Sequence, residues 1–410
     1  KQIAECPRCR MEFAMNKKIS LGAAICFMGI VAAVTFVITM IFSMQKFNGK
    51  IGRVTERERI YSKIDEIDSL VAQHFVGDID DDELMDAIAA GYLSGLDDNY
   101  AHYFSPADLK KEKLNSEGAL VGIGVSATQD TSGYIKIQKV YDNSPASEAK
   151  LEAYDLIVKV EGEDVLTLGY NESISKVSGE AGTKVKITYR RDGVDTDLEL
   201  VRKKVEIPTV SYRMIGKNGY IKIEDFTTNT IDQFSKAVDD CIAKGAEGLI
   251  FDLRNNGGGT LESVEKMLDK LLPSGVIVYK RDKSGKKEAL YTSDAKQVDL
   301  PMVTITNGNT ASASELFVSA LKDYDKAQSV GTTTFGKGIM QTLYDLSDGS
   351  AIRITTAYFD PPKSENFHGV GIKADFPVTL TQEQEKNFND LDETTDPQLK
   401  KAIEVVSAAE

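Results

Sequence analysis

PMVTITNGNTASASELFVSALKDY, Pro301 to Tyr324, is the stretch from which the fold can be read. PMVTIT has the apolar run of a short buried strand, and SELFVSALKDY places Leu316, Phe317, Ala320 and Leu321 on one face of an amphipathic helix. A strand that turns directly into a helix is the building unit of a layered α/β core. The turn is crowded with hydroxyls, and Ser312 stands where the helix begins. Free backbone N–H groups and the positive end of the helix dipole favour developing negative charge there. Ser and Thr at helix starts also serve simply as caps, so the turn alone leaves both readings open.

Downstream, VGTTTFGKGIMQ (Val330–Gln341) carries one lysine, Lys337, in a glycine-framed loop with no histidine beside it. A serine hydroxyl needs a base to take its proton, and Lys337 is the candidate in reach. Lysine acts as a base only when neutral, so its ordinary value of about 10.4 must fall toward roughly 7–8. Phe335, Ile339 and Met340 are the apolar neighbours expected to desolvate it. If the strand runs through GIMQTLYDL, Lys337 and Gln341 share a face, two pleats apart, and the Gln341 carbonyl can orient the amine. Upstream, GLIFDLRNNGGGT (Gly248–Thr260) reads as a strand ending in a triple-glycine turn. Such a turn is either a tight connection or a place where bare backbone N–H groups meet a ligand.

The alternation extends outward. GYIKIEDF, VIVYK, QSVG and AIRITTAYF read as strands and IDQFSKAVDDCIAKG as a helix, which implies an α/β core from Val205 to Val378. Before it, LVGIGVSAT, YIKIQKV, DLIVKVEG, KVKITYR and DLELVRKK describe a small β-rich module, with SPASEAKL a short helix within it. Still earlier, Thr55–Phe75 has helical apolar spacing, and ELMDAIAAGYLSGL a second helix after the acidic GDIDDD.

TASASE, the FGKG lysine and the glutamine four residues later resemble the catalytic region of the carboxyl-terminal processing proteases, the tail-specific Ser/Lys peptidases of family S41. The resemblance implies Ser312 as nucleophile, Lys337 as base and Gln341 as assistant. Thr310 stands where that family's run begins with serine. The glycine turn is similar to the family's DLRxNxGG motif, which implies an oxyanion hole formed by the N–H groups of Gly258 and Ala313. HGVGIKADFPV (His368–Val378) is similar to its G-x-G-I-x-P-D segment, with Ala374 for the proline, and DELMDAIAAGYLSGLDDNYAHYFSP to the segment ahead of its regulatory domain. The β-rich module resembles a PDZ domain, with Val121, Gly122, Ile123 and Gly124 at the carboxylate-binding loop, where an extended tail adds to a sheet edge. Where the family often shows AGLxxGD, both glycines are replaced, by Lys150 and Tyr154. Val121 and Ile123 are equally readable as plain core residues.

The whole is therefore expected to be α+β: a stub at 1–18, a membrane anchor helix at 19–44, a helical N-terminal segment at 45–115, a PDZ domain at 116–203, a layered α/β peptidase core of the ClpP/crotonase-like kind at 204–383, and a C-terminal helix at 384–410. Ile19 to Met44 is free of charge and long enough to cross a bilayer about 30 Å thick. Basic residues nearly balance across it, and the Lys17-Lys18 pair favours a cytoplasmic amino end, a single pass and a catalytic domain on the extracytoplasmic side of the cell membrane. No small-x-small cleavage site follows, and MNKKIS from Met15 reads as a native start.

Net charge is −14, with ten basic and four acidic groups in residues 1–59, so the remainder is strongly acidic and argues against a nucleic-acid partner. Cys6 and Cys9 form half a zinc site, and Cys26 and Cys241 are too far off to complete it, so neither metal nor organic cofactor is implied. The expected partners are protein or peptide substrates with exposed C-terminal tails, the membrane, and a second copy through the terminal helices. Three rival readings stay open: a non-catalytic PDZ adaptor that binds tails, a hydrolase of small acyl compounds, and a Ser-His site using His368.

Overall fold

The structure is a computed structural model that describes residues 20–408. The Cys6–Cys9 pair, Met15, Lys17 and Lys18 lie outside the described residues, as does the rest of the expected stub. The chain divides into two units at Asp81 and Asp82.

In the first unit one helix, Leu21–His74, runs without a break for 54 residues, about 80 Å at 1.5 Å per residue. Within it Ala24–Met44 has a mean hydropathy of 2.6 with none of its residues buried. The expected boundary at residue 44 is a change of side-chain chemistry and not of backbone, because neither Pro nor Gly-rich sequence interrupts the hydrogen-bond ladder there.

The second unit contains the β-rich module and two further sheets. The module's main sheet is antiparallel and begins at an edge strand, Val125–Gln129, followed in order by Ile135–Val140, Leu156–Val160, Lys184–Arg191 and Val194–Val201. Ile123, Ile135, Ile137, Val160 and Val185 form its core. LVGIGVSAT and DLELVRKK, each expected as one strand, are both divided. Ala119–Gly122 pairs instead with Lys203–Glu206 in a two-stranded ladder, so the chain enters and leaves the module side by side. Gly118 continues that stem: its carbonyl accepts the Ile207 N–H at 2.8 Å and the Asn229 amide at 2.6 Å. At the two positions where glycine was replaced, Lys150 and Tyr154 adopt φ of 60° and 76°, so the turn keeps its left-handed geometry with ordinary residues.

The six-stranded sheet of the core runs Val210–Ile215, Asn218–Ile223, Gly248–Asp252, Met302–Thr306, Ala327–Gly331, Phe376–Pro377, parallel after the first pair. Its central strands are buried along their whole length because helices cover both faces. Leu249 and Phe251 point to the helices Thr230–Ala243, Leu261–Leu271 and Ala313–Asp323, whereas Ile250 points to Pro397–Ser407. Phe251 meets the Phe317 ring edge-on at 5.4 Å, which locks the Ala313–Asp323 helix to the sheet.

VIVYK and AIRITTAYF do not join this sheet. Gly275–Asp282 and Ala351–Asp360 lie in a second, antiparallel sheet with His102–Phe104, Lys287–Ser293 and Ile339–Asp345. An apolar run marks a buried strand but does not say which sheet takes it.

Arg254 joins the glycine turn to the C-terminal helix. It is 3% exposed and bonds Asp252, Asp396 and Gln398. Burial pushes the Asp252 carboxyl up, but the Arg254 guanidinium and the Tyr220 hydroxyl outweigh it and hold the group below the usual carboxylate range. Arg254→Ala leaves two buried carboxylates without their cation, and we expect a loss of about 3–5 kcal/mol in chemical denaturation of the full chain, followed by tyrosine fluorescence.

Candidate active site

Ser312 is held in a sparsely populated conformation, φ 58° and ψ −117°, where a non-glycine residue persists only if its surroundings impose it. The Ala311 N–H donates to the Asn256 carbonyl at 3.0 Å, and the Ser314 hydroxyl to the same oxygen at 3.1 Å. Thr310, in the family's serine position, keeps its hydroxyl at work, donating to the Leu253 carbonyl at 2.9 Å. These bonds fasten the serine turn to the glycine turn. A Cβ on Gly258, whose φ is 111°, would lie 2.8 Å from Ser312 Cβ and 3.0 Å from Ala313 N, so only glycine permits the approach.

The Ala313 N–H opens the helix and, among the described residues, makes no backbone hydrogen bond. Gly258 differs from expectation, since its N–H donates to Asn256 Oδ1 at 2.9 Å. Gly257 and Gly259, rather than Gly258, line the adjoining cleft. That cleft, of about 660 Å³, also exposes Ser312, Lys337 and Gln341.

Glu315 ties the two halves of the site together. Its carboxylate is fully buried and accepts the Ser312 N–H at 2.9 Å, the Lys337 N–H at 2.7 Å, the Gly336 N–H at 2.6 Å and the Thr334 hydroxyl at 2.6 Å. Ser312 belongs to the parallel sheet's helix and Lys337 to the loop feeding the second sheet. In the sequence Glu315 merely closes TASASE, with no role assigned to it, although Ser-x-x-Glu at a helix start is the spacing of a capping box.

The Lys337 amine lies 4.1 Å from the centre of the Tyr100 ring and, among the described residues, has no hydrogen-bond or ion-pair partner. Burial lowers its pKa, the nearby Arg353 charge adds to the lowering, and Asp98 opposes it. Phe335 does not contribute the expected shielding, for it is 58% exposed. The strand begins only at Ile339, and a register shift separates Met340 from Gln341, so counting pleats from Lys337 to Gln341 fails. Gln341 shares the cleft and donates its amide to the Thr355 hydroxyl at 3.2 Å, and its carbonyl makes no hydrogen bond to the Lys337 amine.

His368 packs against Tyr358 with ring centres 5.9 Å apart and does not line the cleft. His102 does line it, on a strand the sequence reading passed over, with its ring edge against Phe104 at 4.6 Å.

In the module, Ile123 is buried in the core, and Val121 and Gly122 belong to the stem ladder. Gly124 has φ 81°, and a Cβ there would lie 2.2 Å from Ser144 Cβ. Val125–Gln129 remains a free edge beside the helix Tyr170–Val177, except that the Tyr170 hydroxyl donates to the Ala127 carbonyl at 3.2 Å.

Comparison with known proteins matches residues 217–378 to the model of peptidase family S41 and residues 121–201 to that of the PDZ domain. The chain is 32% identical over 363 residues to a "Probable CtpA-like serine protease" of Staphylococcus aureus (strain COL), an alignment that covers 87% of this chain and 72% of that protein. It is 32% identical over 318 residues to the protein of the same name from Staphylococcus saprophyticus, covering 76% and 64%. Among solved structures, a putative S41 protease from Bacteroides fragilis superposes with a TM-score of 0.51 over 78% of this chain and 90% of the other, at 16% identity, a likeness of fold.

Replacing Glu315 by Gln keeps the shape but turns one acceptor oxygen into a donor facing N–H groups. The expected result is a stability loss of about 2–3 kcal/mol in urea titration.

Proposed function

The chain belongs to peptidase family S41 and is a serine peptidase with a PDZ domain, and on that premise we propose that it cuts protein substrates near their carboxyl ends by a Ser/Lys mechanism. In this reading Ser312 Oγ attacks the scissile carbonyl while the neutral Lys337 amine takes its proton and passes it to the leaving amine. An acyl-enzyme results, and water, deprotonated by the same lysine, releases the new C-terminus. Ala313 supplies one oxyanion donor from the start of its helix. Gly258 supplies the second once its N–H leaves Asn256, and Gln341 orients the lysine through its side-chain carbonyl.

The observation that carries this reading is the pairing of a strained serine with a partner-free, desolvated lysine in one cleft, both hung on the Glu315 carboxylate. A lysine whose charge is disfavoured is the one kind that can serve as a base near neutral pH.

We further assign tail recognition to the module, residues 116–203, with Val121 to Gly124 at the carboxylate end and the Val125–Gln129 edge pairing with the tail. The peptidase core is taken as 204–383 and the C-terminal helical segment as 384–410. The apolar helix Ala24–Met44 fits a single-pass anchor, with the acidic catalytic unit outside the cytoplasm, and a second copy would pair through the terminal helices.

The test uses the full chain in detergent and a folded protein bearing an unstructured apolar tail. Ser312→Ala and Lys337→Ala are each expected to lower cutting at least ~10³-fold while tail binding persists. Tail binding with no cutting by the unmutated chain would make it an adaptor, and a rate that survives Lys337→Ala would remove the proposed base.

A further inference from the structure

Tyr100 precedes the strand His102–Phe104 in a loop that is fastened from two sides. The Asp98 carboxylate accepts the Tyr100 N–H at 3.0 Å and, from the neighbouring strand, the Thr355 N–H at 3.0 Å and hydroxyl at 3.1 Å. His102–Phe104 then pairs in register with Ala351–Arg353. The ring is therefore set on the second sheet as rigidly as a strand residue. Its separation of 4.1 Å from the Lys337 amine is the shortest ammonium-to-ring approach among the described residues.

The other charged groups around the amine make the ring its favourable neighbour. Arg353, on the strand Ala351–Asp360, is a like charge, and it is itself paired with Glu112 of the helix Pro106–Glu117 at 2.6 Å. Asp98 is the one carboxylate that favours the ammonium, and its oxygens are already engaged by the bonds above. His102 faces the same cleft. An aromatic face attracts an ammonium through its quadrupole but has no comparable hold on a neutral amine.

We propose that Tyr100 is a positioning residue for Lys337: its ring holds the side chain clear of Ser312 while the amine is charged, and lets it turn to the serine hydroxyl when the proton has left. This rests on the Ser/Lys reading above. The departing proton goes to water in the cleft, and the neutral amine later accepts the proton of Ser312. The same loop also engages the assistant: Gln341 donates to Thr355, which donates to Asp98, which accepts the Tyr100 N–H.

The sign of the effect follows. The ring stabilises the charged form, so it holds the lysine's midpoint higher than the rest of the pocket would set it. Removing the quadrupole moves the rising limb of the pH profile toward acid.

The experiment measures kcat/KM of the full chain in detergent from pH 6 to 10 on an unstructured peptide. Tyr100→Phe should keep the wild-type midpoint, and Tyr100→Leu should lower it by about half to one pH unit, a three- to tenfold change in the ionisation constant. Should the leucine variant fold poorly, progressively fluorinated phenylalanines at position 100 keep the shape while weakening the quadrupole, and the midpoint should fall with each fluorine. A midpoint that stays put, or rises, in the leucine and fluorinated variants overturns the inference and leaves Tyr100 as a wall of the cleft. Lys337→Ala in the same assay separates the two claims. If that variant keeps both its rate and its limb, the Ser/Lys reading fails; if it is inactive while the Tyr100 variants do not shift, only the role given to Tyr100 fails.

Discussion

One buried carboxylate holds the site together. Glu315 lies on the helix that follows the parallel sheet, yet three of the four donors it accepts from belong to the loop of residues 334–337 that feeds the other sheet. Burying a charge without a cation is costly, and it is tolerated here because the oxygens receive N–H and O–H bonds from fixed backbone and a threonine. The arrangement sets the distance between the serine turn and the lysine loop through backbone N–H groups, without engaging the side chain of Ser312 or of Lys337. Ser312 can then occupy a strained backbone angle, and the Lys337 backbone N–H is fixed on the same carboxylate.

The rest of the second unit serves that constraint. The Phe251 and Phe317 rings lock the serine helix against the sheet, and Arg254 fixes the strand end from which the glycine turn departs. The second sheet brings in residues from before and after the module, so a tyrosine and a lysine distant in the chain meet across a cleft.

Much of this was legible in the sequence, for identifiable reasons. The central parallel strands announced themselves as unbroken apolar runs because both their faces are covered. Ser312 and Lys337 could be singled out as candidates because few residue types offer a nucleophile and a base in such a setting, and the fold brings both to one cleft. What the sequence did not supply was geometry. Two pleats could not be counted from Lys337 to Gln341 across a loop and a register shift. The N–H of Gly258 was assigned to a ligand, and a neighbouring asparagine side chain holds it. Phe335 was credited with shielding although it is largely exposed, and the Tyr100 ring that lies beside the amine is one that no local pattern could connect to Lys337. The two missing glycines of the module proved no guide to its backbone, since Lys150 and Tyr154 take the left-handed angles themselves.

The stem of the module has an evolutionary corollary. Its inward and outward strands lie paired from Ala119–Gly122 to Lys203–Glu206, and Gly118 and Ile207 close the ladder's foot. A domain whose two chain ends sit side by side is a cassette: swapping, shrinking or diversifying it leaves the spacing of its host unchanged. The module can therefore vary independently of the hydrolytic core that carries it.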